Sequence, residues 1–108
     1  MSNLKDTKMA NLVREFAAQY INLESNRNSL ITVTYVNLEN RGKVAKVYFT
    51  VLPDSEAESA QEFLQRRQSD FRKFLIDKKV FGFAPSMYFS LDKGEKNRQR
   101  IDELSQNL

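Results

Sequence analysis

The 108-residue sequence contains no cysteine, no histidine and no tryptophan, and it has only three glycines. Without cysteine or histidine, a zinc finger, a haem site and a nucleophile paired with a histidine base are nearly impossible. The lack of disulfides agrees with a reducing compartment. The glycines form no Gly-x-x-Gly loop, phosphate-binding loop or dinucleotide fingerprint. We therefore expect a small protein without a metal or another cofactor.

The length and the apolar pattern indicate one domain. No apolar run approaches the roughly 18 residues that a membrane span needs, and residues 1–6 lack the apolar segment of a signal peptide. A chain of this length buries one modest core without disulfides or metal. The sequence thus predicts a single domain over residues 1–108, monomeric, cytoplasmic and without a membrane partner or a small-molecule substrate.

The first half of the chain reads as a helix followed by a hairpin. Apolar residues recur at helical spacing over residues 4–23, and the stripe consists of Met9, Leu12, Val13, Phe16, Ala17 and Tyr20. Residues 30–52 are rich in β-branched residues and contain a turn near Gly42, which predicts two antiparallel strands. The second strand alternates, so one of its faces is expected to be buried. That face carries Ala45, Val47, Phe49 and Val51.

The second half predicts two helical segments, 55–67 and 70–79, that meet at a kink. Ser55 with Glu58 forms a capping-box pattern for the first segment, and Ser69 is the candidate N-cap of the second. A capping role for the acidic residues at this helix start is more plausible than acid–base catalysis. A strand over 86–91 follows Pro85.

A last helix over residues 95–107 has few apolar anchors, mainly Ile101 and Leu104, and is predicted to be marginal. Asp92 with Glu95 forms a possible capping box before it. Three strands with helices on one face make an α+β fold. The order α-β-β-α-kink-α-β, with a short C-terminal helix, is similar to the type II KH arrangement. The predicted core set is Phe16, Val36, Val47, Phe49, Leu64, Phe74 and Phe89.

The basic residues are the strongest functional signal from the residues themselves. Residues 66–79 hold six cations, residues 41–46 hold three more, and residues 53–62 are acidic without any base. Phosphate neutralisation by lysine and arginine supplies most sequence-independent affinity for nucleic acid, so this density favours RNA. The candidate RNA-binding residues are Arg66, Arg67, Arg72, Lys73, Lys78, Lys79, Lys43 and Lys46. Helix periodicity predicts that Arg72, Lys73 and Lys79 point away from the core.

Four stretches together resemble the ribosome-binding factor A family. Residues 32–38 and the Ala-Lys-Val-Tyr strand at 45–51 resemble the hairpin of the family. Residues 71–75 resemble its third helix, and residues 85–92 resemble its Pro-x-Leu-x-Phe strand with the following Asp. Residues 100–104 resemble its closing helix. The resemblance covers nearly the whole chain, and the order and spacing of the stretches carry it.

The sequence departs from the family at the kink. The family usually has an Ala-x-Gly element there, which falls at Arg67, Gln68 and Ser69 in this chain. Ser69 lacks the freedom of glycine at positive φ, so the kink must form differently. The family usually also has an Asp in the hairpin turn, where this chain has Arg41 and Gly42.

The resemblance implies a non-enzymatic, RNA-binding ribosome assembly factor. Such a factor binds the small (30S) ribosomal subunit and assists late maturation of 16S rRNA. Two alternatives stay open: a small α+β protein-interaction module without RNA binding, and, less favoured, a small hydrolase. Tyr35 and Tyr48 can either stack on bases or pack against each other across the hairpin, and packing is the more common role.

Overall fold

The computed structural model describes residues 4–24, 29–79 and 82–94 of the chain. The element order over these residues confirms the α-β-β-α-kink-α-β prediction and the α+β class. The predicted helix over 95–107, with Ile101 and Leu104, lies outside the described residues. The elements are α1 (Leu4–Glu24), β1 (Leu30–Glu39), β2 (Val44–Leu52), a 3-10 turn (Asp54–Glu56), α2 (Ala57–Arg66), α3 (Gln68–Asp77) and β3 (Ser86–Leu91).

The three strands form one sheet in the order β1-β2-β3. β1 pairs with β2 antiparallel, through a turn in which Asn40, Arg41 and Gly42 all have positive φ. β3 pairs with β2 parallel, because α2 and α3 carry the chain back before it enters the sheet. The predicted inner face of β2 is confirmed, since its four residues are all buried.

A β-bulge at Thr34 sets which side chains of β1 face the core. Val33 pairs with Phe49 and Tyr35 pairs with Tyr48, so Thr34 is the extra residue. Apolar positions are odd before it (31 and 33) and even after it (36 and 38), and all four pack against the core. The bulge therefore keeps the apolar residues inside and turns Tyr35 outward. The Thr34 hydroxyl donates to the buried Asp92 Oδ2 over 2.7 Å, which joins the bulge to the end of β3.

The helices cover one face of the sheet and build the core against it. The ring centroid of Tyr20 in α1 lies 5.3 Å from that of Phe71 in α3. The ring centroid of Phe71 lies 5.5 Å from that of Phe89 in β3. Four residues of the predicted core set are buried, and the other three pack against them half-buried. Sequence periodicity missed one fully buried member of α1, Ile21.

Neither predicted serine N-cap is found. The chain makes a 3-10 turn at Asp54–Glu56 before α2, so Ser55 does not begin the α-helix and its capping box with Glu58 does not form. α3 begins at Gln68, which places Ser69 in its first turn instead of at its cap. Tertiary contacts of the kink replace local capping at this helix start. Glu95, the partner predicted for Asp92, lies outside the described residues.

Replacing Phe49 with Ala is expected to lower the free energy of unfolding by about 3–5 kcal/mol, because the ring is fully buried and its loss leaves a cavity. Leu52→Ala on the same strand is the matched control: that side chain is 60% exposed, and its truncation should cost about 0.5 kcal/mol. Urea unfolding measures both. Equal losses in the two variants would contradict the assignment of the strand faces.

Candidate nucleic-acid interface

The kink between α2 and α3 is made by one residue. Arg67 has φ −106° and ψ 10°, which interrupts the helix for a single position. The Arg67 N–H donates to Leu64 O over 3.0 Å, and Arg67 O accepts from the Phe71 N–H over 2.8 Å. No residue of the kink needs positive φ, so glycine is not required. This explains how Arg67, Gln68 and Ser69 can replace an Ala-x-Gly element.

Two long-range contacts anchor the kink to the C-terminal end of α1. The Tyr20 hydroxyl donates to Asp70 Oδ2 over 2.6 Å. The Arg67 guanidinium pairs with Glu24 over 3.0 Å and lies 4.4 Å above the ring of Phe63. Arg67 was predicted to face RNA, but in the structure its guanidinium is engaged by the protein.

Burial and the hydrogen bond to Asp70 raise the pKa of Tyr20 to about 12. Burial is the larger cause, because it disfavours the charged phenolate. The Tyr20 hydroxyl therefore stays protonated at neutral pH and remains a donor.

The kink is also attached to the sheet. Gln68 Oε1 accepts a hydrogen bond from the backbone N–H of Phe89 over 3.0 Å. β3 is an edge strand of the described sheet, so this N–H has no strand partner on its outer side. Gln68 therefore satisfies an edge group and fixes the start of α3 against β3.

Arg72 does not point away from the core as predicted. It is half-buried, and its Nη2 donates to the carbonyl of Ala84 over 3.1 Å. Its Nε is buried and has no hydrogen-bond partner among the residues that the structure describes. Because Ala84 lies in the segment that leads into β3, Arg72 holds that segment against α3.

Two lysines end α3 in different ways. Lys78 Nζ lies 4.6 Å from the ring centroid of Phe74 and 5.8 Å from that of Phe16. Lys79 is exposed and has a φ of 57°, a left-handed conformation that is uncommon outside glycine. Lys78 thus covers the aromatic core, whereas Lys79 extends into solvent.

The predicted cations therefore divide into anchored and available groups. Lys73, Lys79 and Lys43 are exposed and make no ion pair with another described residue, and Arg66 makes only a solvent-exposed pair with Glu62 at 3.7 Å. Lys43 lies near the segment held by Arg72, because its carbonyl accepts from the Ser86 N–H over 2.9 Å. The available group is Arg66, Lys73, Lys79 and Lys43.

Lys46 lies on the face of the sheet that is opposite the helices. It pairs with Asn37 and Tyr88 in the strand register, and its Nζ is 3.5 Å from Glu39. The same face carries Tyr35 and Tyr48, whose rings stack at 4.4 Å with an angle of 11° between their planes. Cross-strand packing of this pair is thereby confirmed. Partial burial and the neighbouring Tyr48 raise the pKa of Tyr35.

Sequence reasoning missed Glu24 and Asp70 as residues that hold the kink, and it placed Gln68 in the kink without predicting its contact with β3. Their partners lie far along the chain, so no local pattern identifies them. One signal was present, since a tyrosine on an apolar helix stripe needs a partner for its hydroxyl. Among the described residues, no three acidic side chains are placed to hold a metal, and no helix is long and apolar enough to cross a membrane.

Replacing Tyr20 with Phe should remove a pH-dependent part of the stability. The folded-state pKa of about 12 lies above the ordinary value of 10.0, so the contribution of Tyr20 is complete below pH 10. It is lost between pH 10 and 12, by about 1.4 kcal/mol per pH unit. Urea unfolding of the parent and of Tyr20→Phe at several pH values measures the difference between them. A difference in unfolding free energy that stays constant from pH 9 to 12 would contradict the role of this hydroxyl. Tyr88→Phe, which removes the hydroxyl of an exposed tyrosine, is the control.

The chain is similar to known proteins in both sequence and structure. A ribosome-binding factor A from Geobacter sulfurreducens is 26% identical over 107 residues, which cover 96% of this chain and 91% of that protein. The crystal structure of ribosome-binding factor A from Thermus thermophilus has a TM-score of 0.69 at 21% identity, and the match covers 79% of this chain and 93% of that one.

A solution NMR structure of a Thermotoga maritima protein, proposed to be a ribosome binding factor A, has a TM-score of 0.65 at 20% identity. The match covers 78% of this chain and 83% of that one. At these identities the two structures show the shared fold. The family model described as ribosome-binding factor A matches residues 5–105, and the chain belongs to this family.

Proposed function

We propose that this protein is a non-enzymatic assembly factor that binds the small (30S) ribosomal subunit and assists late maturation of 16S rRNA. Family membership supports a ribosome partner, as does the name of the relative from Geobacter sulfurreducens. The proposed partner within the ribosome is 16S rRNA, and the proposed form is a cytoplasmic monomer. No cofactor enters the proposal.

The available cations beside the anchored kink carry the proposal. Lys73 and Arg66 project from α3 and α2, while Arg67 and Arg72 hold those helices in place. A lysine without an ion pair, such as Lys73, can neutralise a phosphate and release its counterion without first breaking a contact in the protein. The solvent-exposed pair of Arg66 with Glu62 is weak, so a phosphate can replace it at little cost. We assign direct RNA contact to the available group and a positioning role to Arg67, Arg72 and Lys78.

Two cations, Arg41 and, from the available group, Lys79, lie at residues with positive φ. Arg41, in the hairpin turn, has a φ of 56°, and Lys79, after α3, has a φ of 57°. Glycine would adopt both conformations at lower cost. Strained backbone positions concentrate at functional sites, so a cation at each of these two positions supports a role in binding.

The proposed mechanism is conformational selection. The protein binds one arrangement of the rRNA more tightly than another and shifts the equilibrium by the difference in affinity. Contacts to phosphates fix orientation and read little sequence. The bound state of the subunit would therefore be recognised by its shape and by the positions of its phosphates.

Reversing two available charges tests this proposal. The variant Lys73→Glu with Lys79→Glu should bind purified small subunits about ten-fold more weakly or worse at moderate salt, because two phosphate contacts become repulsive. Co-sedimentation with small subunits measures the affinity. Neither side chain contacts the core, so thermal unfolding of this variant should match that of the parent.

The matched control is Lys8→Glu with Arg14→Glu, which makes the same charge change on exposed positions of α1. It should keep nearly the affinity of the parent. Equal losses in both variants would show that only net charge matters. Loss in the control alone would place the RNA-binding surface on α1, and unchanged binding of both variants would favour a protein-interaction module without RNA binding.

A further inference from the structure

The face of the sheet opposite the helices carries three of the four tyrosines of the chain. The strand register places Tyr48 of β2 beside Tyr35 of β1, and Tyr88 of β3 beside Lys46 of β2. The described helices pack on the other face, where Val47, Phe49 and Phe89 are buried. Tyr35 and Tyr88 are each 47% exposed. We call this surface the tyrosine face.

Both outer strands leave an aromatic ring available for a ligand. Tyr35 stacks on Tyr48 through the ring face that points toward β2. Because β1 is an edge strand, no further strand of the described sheet covers the opposite ring face. Tyr88 lies on the other edge strand and makes no ring contact among the described residues. The tyrosine face therefore offers two separate stacking positions, one at each edge.

We propose that the tyrosine face is a stacking platform for unpaired RNA bases, one on Tyr35 and one on Tyr88. This inference rests on the proposed function and extends it from phosphate contacts to base contacts. Exposed aromatic rings on a sheet, next to cations, are a recurring way to bind single-stranded RNA. Stacking tolerates different bases because every base has a π-face.

The chemistry around the rings fits RNA better than a second copy of the chain. Lys46, one of the RNA-binding residues predicted from the sequence, lies beside Tyr88 in the register and two residues from Tyr48 on β2, so a cation lies next to the rings. Its Nζ is 3.5 Å from Glu39 in a partly exposed ion pair, which a phosphate can replace. The register also places Thr32, Thr50 and Asn37 there, and their hydroxyl and amide groups can bond base edges. The exposed Leu30 and Leu52 pair with each other at one end of this face, away from Lys46 and Tyr88. Around the rings the surface is more polar than the core of an interface between copies.

Tyrosine fluorescence gives a direct test, because the chain has no tryptophan. A twelve-nucleotide oligoadenylate should quench the tyrosine emission of the full chain after correction for RNA absorbance. The variant Tyr35→Leu with Tyr88→Leu should bind this probe roughly ten-fold more weakly for each ring removed, measured by fluorescence anisotropy of labelled RNA. Its affinity for a blunt-ended RNA duplex with the same number of phosphates, in which every base is paired, should change less than two-fold.

The control is Tyr35→Phe with Tyr88→Phe, which keeps the rings and removes the hydroxyls, and it should bind oligoadenylate like the parent. Unchanged oligoadenylate affinity in the leucine variant would overturn the platform, as would an equal loss in both variants. Sedimentation velocity provides another decisive outcome: a dimer of the parent that the leucine variant abolishes would identify a second copy as the occupant.

The experiment separates this inference from the proposed function. Small-subunit binding that depends on Lys73 and Lys79, together with oligoadenylate binding that ignores the leucine substitutions, would overturn the platform alone. A parent protein that binds neither small subunits nor either RNA would overturn both proposals. Circular dichroism of each variant confirms that the fold is retained before the affinities are compared.

Discussion

The attachment of the α2–α3 kink to α1 is the constraint on which the rest of the surface depends. Tyr20 and Glu24 lie one turn apart on α1, and they hold Asp70 in the first turn of α3 and Arg67 at the kink itself. Gln68 adds a third connection, to the edge of the sheet. Because these contacts converge on residues 67–70, about one turn of helix, the direction of α3 is fixed without glycine and without a local N-cap.

A fixed α3 gives different roles to cations that look equivalent in the sequence. Arg67 and Arg72 are only five residues apart, yet one reaches α1 and the other reaches the segment before β3. Lys73, next to Arg72, contacts neither. Charge density thus identifies the region proposed to bind RNA, but only the packing separates the cations that hold the helices from those that remain available to a partner. Lys46, on the opposite face, belongs to a second surface.

Much of the fold follows from local pattern. The alternation of β2 identifies its buried face, and the apolar stripe of α1 identifies Val13, Ala17 and Tyr20 as core residues. The bulge at Thr34 was not predicted, although the change of the apolar positions of β1 from odd to even is its signal in the sequence. The kink contacts were not predictable, since Tyr20 and Asp70 are separated by 50 positions and no local pattern pairs them. Arg72 was predicted to be exposed for a similar reason. Periodicity predicts which way a residue of a helix faces, but it does not predict that the long Arg72 side chain bends to the carbonyl of Ala84.

The central claim is that available cations bind phosphate whereas anchored cations position the helix. The salt dependence of small-subunit affinity tests this claim most directly, measured for Lys73→Gln and for Arg67→Gln alongside their melting temperatures. The account predicts that Lys73→Gln reduces the slope of log affinity against log salt by about 0.7–0.9 and leaves the melting temperature unchanged. It predicts that Arg67→Gln lowers the melting temperature and leaves the slope unchanged. A reduced slope for Arg67→Gln together with an unchanged slope for Lys73→Gln would contradict it.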